Sequence, residues 1–170
     1  MNRWMILLAL AAMFGVGVSL PAEAANEICI LVTDSQSQRW NGEFGAPFCD
    51  SDSIDGLEFH HLVERDVIQA RHQVAIFRKW VDATSVNFWN AFATRETLEK
   101  VEIQFWVTGS QTDIFHTVRL ENVRVESIEL LDVDPSDGSD RRATERIRLS
   151  YSLLTIDKDG NEAVLQNDRG

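Results

Sequence analysis

The sequence predicts a mainly β protein with one short helix laid on a sheet, and three observations carry that prediction. Val101, Ile103, Phe105 and Val107 alternate with Glu102, Gln104, Trp106 and Thr108. Ile147, Leu149, Tyr151 and Leu153 alternate in the same way with Arg146, Arg148, Ser150 and Ser152. Period-two alternation marks a strand with one buried face. Ahead of the first of these stretches the period changes. Phe88 and Phe92 stand four apart, as do Trp89 and Ala93, which gives a helix over about residues 83–93 a wide apolar face.

The first 24 residues stand outside this fold. Arg3 supplies a positive start, Trp4 to Leu20 is apolar, and Ala22-Glu23-Ala24 has the small-x-small form of a signal-peptidase site. The reading is a secretory signal cleaved after Ala24, with an uncleaved membrane anchor as the alternative. No Cys follows the cleavage region at once, so a lipoprotein is not expected. The remaining chain of about 146 residues, 25–170, has the length of a single domain with a real core.

Ile28 to Val32 reads as the first strand, and Asp34 to Asp52 as a long polar loop around Trp40, Phe44 and Phe48. Cys29 and Cys49 bracket most of that loop. An even cysteine count behind an export signal points to a Cys29–Cys49 disulfide, with two buried free thiols as the alternative. Leu57, Phe59, His61 and Val63 mark a second strand, and Glu64 to Ala70 the connection onward. Val74, Ile76, Trp80 and Val81 lie in a run whose β-branched and aromatic content suits a third. Asp82, Thr84 or Ser85 then caps the helix, since each has a side-chain oxygen for the orphan amides of the first turn. Phe88, Trp89 and Phe92 are its expected core face, and Thr94 to Thr97 its exit.

Gly109-Ser110-Gln111 makes a turn into Ile114 to Leu120. Glu121-Asn122 leads into Val123 to Leu130, where the apolar phase slips between Val125 and Ile128, as a β-bulge would require. Asp132 to Arg142 is a polar acidic loop. Asp157 to Asn161 is turn chemistry, and the tail from Glu162 forms a short strand and then frays.

Composition and motifs exclude several functions. A net charge of −11, which removal of the leader leaves unchanged, disfavours nucleic acid and anionic membranes as partners. His60 and His61 are consecutive, so on a strand they point to opposite faces, and His72 and His116 lie far apart. No zinc-type spacing is present. In the acidic loop 132–140, Gly138 falls seventh from Asp132 and the twelfth residue is Ala143, which fails the calcium-loop pattern. A solvated loop is the expectation there, with a weak cation site as the alternative. No G-x-S-x-G, Ser-x-x-Lys or Gly-rich phosphate loop occurs. The expectation is a protein with no catalytic, cofactor or metal site, and not an enzyme.

Three stretches carry a family likeness: RKWVDATSVNFWNAFATRETLEKVEI from Arg78, LENVRV from Leu120 as part of a hairpin, and ERIRLSYSLLTIDKDGN from Glu145. In this order, over roughly Ile54 to Asn161, the chain resembles the Hcp proteins of type VI secretion systems. That resemblance implies an Hcp-like β-barrel of two antiparallel sheets with one short helix on it. It also implies a structural role: homo-hexameric rings, stacked into a tube, with a lumen for secreted effectors. It supplies no catalytic residues. The leader departs from the family, whose members are loaded in the cytoplasm, so the expectation is an exported relative, periplasmic or secreted. The alternative is a monomeric extracytoplasmic binding module that uses the barrel face or the loop 34–52 to hold a protein or glycan.

Overall fold

A computed structural model describes residues 27–42, 49, 52–65, 70–107, 114–131 and 143–166. Among these residues eight strands and one helix follow in order: β1 (Glu27–Thr33), β2 (Ile54–Arg65), β3 (Ala70–Trp80), α1 (Ala83–Thr94), β4 (Thr97–Trp106), β5 (Ile114–Leu131), β6 (Thr144–Ser150), β7 (Leu153–Lys158) and β8 (Asn161–Gln166). The strands pair in the order β4-β1-β2-β3-β6-β5-β7-β8, and a further β4–β5 pairing closes the first six into a barrel. Every pairing is antiparallel. The predicted fold class is the one observed.

The barrel turns on β5. Sequence reasoning breaks this stretch at Glu121-Asn122, whereas the structure runs through it as one strand of 18 residues. Asn122 takes a left-handed φ of 51°, which asparagine tolerates better than most residues, and the chain bends without ending. The inward phase changes at the bend, from Val118 and Leu120 to Val123 and Val125. The first half of β5 pairs with β7 on the edge that the second half gives to β6. The two antiparallel halves are thereby joined into one hydrogen-bonded sheet. The expected slip is present as a register shift between Val125 and Ser127.

The core fills the barrel from all six of its strands. Ile28, Ile30 and Val32 of β1 meet Ile54 of β2, Ala75 and Phe77 of β3, Val101 and Ile103 of β4, and Ile147 and Leu149 of β6. In β3 the inward residues are therefore Ala75 and Phe77, while Val74 and Ile76 are half-buried on the other face. Tyr151 also lies in the core, with its hydroxyl hydrogen-bonded to His61 Nε2. Burial pushes its phenol up from 10.0 to about 12, because the charged phenolate is poorly solvated there. The folded value lies above the unfolded one, so this stability is present below pH 10 and lost as the pH rises toward 12. The chain has one tyrosine, so an ultraviolet titration reads this group alone. The native protein is expected to titrate near 12 and the denatured chain near 10; a native midpoint near 10 would contradict the burial.

Candidate functional site

The outward surface around α1 is set by how the helix seats on the barrel. Asp82 is the N-cap: its Oδ1 accepts from the Thr84 amide at 2.9 Å, and Ser85 Oγ accepts from the Asp82 amide at 3.1 Å. Arg95 closes the helix in a left-handed conformation, its N–H donating to the carbonyls of Ala91 and Phe92. The buried stripe is Thr84, Ser85, Phe88 and Ala91. Phe88 sits between Trp40, centroids 4.9 Å apart, and Phe77 of β3 at 5.6 Å.

Below the cap lies a buried ionic cluster. Lys79 and Glu145 are cross-strand partners of β3 and β6, and both side chains are 0% exposed. Lys79 Nζ lies 2.9 Å from Glu145 Oε1 and 2.7 Å from Asp82 Oδ1, and it donates to the Trp80 carbonyl at 2.7 Å. Ser85 Oγ donates to Glu145 Oε1 at 2.7 Å. One ammonium thus holds two carboxylates and the helix N-terminus against two strands. Sequence reasoning missed this pair. The available signal was parity, since Lys79 shares a face with Ala75 and Phe77, and Glu145 with Ile147 and Leu149.

The expected helix face is corrected in part. Phe88 is fully buried, but Trp89 is 41% exposed and Phe92 40%. Thr84 and Ser85 occupy the N-terminal end of the buried stripe, where their hydroxyls donate to Asp82 and Glu145. Trp89 and Phe92 fall to one side, where their rings meet edge to face at 6.4 Å. With exposed Val86 they form an outward apolar strip on a helix of 12 residues that carries no charge. A solvated helix normally presents charged residues outward.

A second apolar patch lies at the other end of β4. Trp106 pairs with Ile114, and Val107, Ile114 and Phe115 around that hairpin end are exposed. The Lys158 ammonium stands over the Phe115 ring at 4.4 Å. Strand β4, ten residues and about 30 Å long at strand rise, leads from the end of α1 to this hairpin. Among the described residues strand β8 pairs only with β7, and it is mostly exposed.

The remaining candidates are dispersed. The Cys29–Cys49 disulfide is present, with Cα atoms 5.7 Å apart, and it ties the loop after β1 back onto that strand. Trp40 is 8% exposed, so it packs as core and not as an outward anchor. Phe44, Phe48, the side chain of His72 and the acidic loop 132–140 lie outside the described residues. His60 bonds Glu58, His61 bonds Tyr151, and His116 lies against Phe105 at 5.5 Å. Among the described residues no three His, Cys, Asp or Glu side chains converge on a common point.

The family described as "Type VI secretion system effector, Hcp" matches residues 52–157. The chain belongs to the Hcp family. The Hcp1 protein from the E. coli EAEC 042 pathovar, solved as a double variant, is 17% identical, with 82% of this chain and 98% of that one aligned at a TM-score of 0.73. A structure described as an Hcp protein gives 18%, 86%, 100% and 0.75 by the same measures. A secreted protein, Hcp3, from Pseudomonas aeruginosa gives 17%, 84%, 99% and 0.69. At such identities these structures establish a shared Hcp fold. No curated protein sequence matches the chain.

Proposed function

We propose that this protein is an exported Hcp-like structural subunit, which assembles into homo-hexameric rings with a lumen that accommodates effector proteins. The observation that carries the reading, beside family membership, is the pair of apolar patches at opposite ends of β4. A ring needs a heterologous interface, in which two different patches of each subunit meet their complements on its neighbours. Trp89, Phe92 and Val86 offer one such surface, and Val107, Ile114 and Phe115 offer another. The uncharged helix also reduces like-charge repulsion where two chains of net charge −11 approach. The role is structural and involves no catalysis.

Export belongs to the same proposal. The leader 1–24 is removed after Ala24, and the single domain 25–170 works in the periplasm or beyond. The disulfide supports this placement, because such bonds persist in oxidising compartments. Negative-stain electron microscopy of the chain from Ala25 to Gly170 tests the assembly, with Trp89→Glu as the probe. The expected result is rings for the parent and dispersed subunits for the variant, which keeps its melting temperature because Trp89 is exposed. Rings of unchanged number and size in Trp89→Glu would remove the helix strip from the interface.

A further inference from the structure

Beside α1, on the flank away from Trp89 and Phe92, lies an open groove of about 400 Å3. Its walls are the turn after β1 and the polar side of the helix. Four carboxamides line it: Gln38 and Asn41 from the turn, Asn87 and Asn90 from the helix. None of these side-chain amides has a hydrogen-bond partner among the described residues, nor has the Arg39 guanidinium beside them. Asn87 and Asn90 are three apart on a helix, so they stand side by side on one face. Elsewhere in this turn the polar groups are well used. Asp34 Oδ1 accepts from the amides of Gln36 and Gln38, and Glu96 Oε1 accepts from Ser35. The floor is Trp40, held in place by Phe88.

We infer that this groove binds a neutral oligosaccharide. Each carboxamide offers a donor and an acceptor on one planar group, which suits a ligand whose hydroxyls both give and receive hydrogen bonds. The Arg39 guanidinium adds donors, and the outer oxygens of Asp34 and Glu96 add acceptors. The lining carries two carboxylates against one guanidinium, and the whole chain is acidic, so an anionic saccharide is repelled. An extended peptide fits less well. It needs a strand edge or apolar pockets for alternate side chains, and the described lining residues offer neither. The volume suits a few sugar units rather than one. The inference does not depend on ring assembly, since every lining residue belongs to one chain.

Nuclear magnetic resonance titration of the labelled chain from Ala25 to Gly170 tests it. The probes are maltotriose, cellotriose, triacetylchitotriose, trigalacturonate and a neutral Gly-Ser peptide, each at millimolar concentration. At least one neutral trisaccharide is expected to shift the side-chain amide signals of Asn87 and Asn90, with trigalacturonate and the peptide silent. The double variant Asn87→Ala with Asn90→Ala is expected to weaken that binding about tenfold. Its melting temperature holds or rises, because alanine is the better helix former. Three results would overturn the inference: no neutral trisaccharide moves these signals, binding survives the double variant, or the peptide or the anionic sugar binds in their place.

Discussion

Lys79→Met lowers the melting temperature of the chain from Ala25 to Gly170 by about 10 °C, because breaking a buried charge cluster costs about 3–5 kcal/mol in a domain of this size. The methionine matches the lysine stem in bulk, so lost packing contributes little. What remains is Glu145, fully buried with no cation, and Asp82, almost as buried and reduced to its capping bonds. Glu145 Oε2 already receives no hydrogen bond among the described residues, so the ammonium is the chief compensation for that carboxylate. The double variant Lys79→Met with Glu145→Leu removes charge from both strands and is expected to recover most of the loss. Thermal unfolding followed by circular dichroism reads both variants. A double variant as unstable as the single one would show that the unpaired carboxylate is not the cause.

The second large effect concerns the disulfide. Its half-cystines are 20 residues apart, and closing a loop of that length contributes about 3 kcal/mol. Cys29→Ser with Cys49→Ser, or reduction by a thiol, is expected to lower the melting temperature by about 6–12 °C. Cys29 is buried in the middle of β1, so the bridge also fixes the loop against a strand paired on both sides. The loss should therefore be confined to that loop at low temperature, with protection of β4–β5 amides from hydrogen exchange retained. Unchanged melting in the double variant would contradict a stabilising bridge.

Much of the fold was legible because local periodicity and burial agree in it. β4 alternates as read, and β6 does so as far as Ser150, although the run expected through Leu153 breaks at Tyr151-Ser152 and restarts as β7; the phase slip after Val125 is a real bulge, and Asp82 caps α1 with Ser85 completing the box. Closure of the barrel was not legible from periodicity. The β4–β1 and β3–β6 pairings join distant stretches, and only the family resemblance pointed to them. At Glu121-Asn122 a turn-like dipeptide produces a bend within a strand, since one left-handed residue changes the phase without breaking the ladder. On α1 the apolar period suggested a wider core face than the seat accepts. Trp89 and Phe92 are left outside because Thr84 and Ser85, small and polar, are needed at the ionic cluster. Trp40 lies in a polar loop, yet Phe88 draws it into the core. Sequence spacing cannot show a partner 48 residues away.

The measurement that tests the central claim most directly is the native mass of the chain from Ala25 to Gly170 under oxidising conditions. Light scattering coupled to gel filtration, at micromolar concentration, is sufficient. The account predicts a hexamer that persists on dilution and is lost in Trp89→Glu. A monomer would contradict it, and would mean that this Hcp fold serves a role that does not depend on a ring.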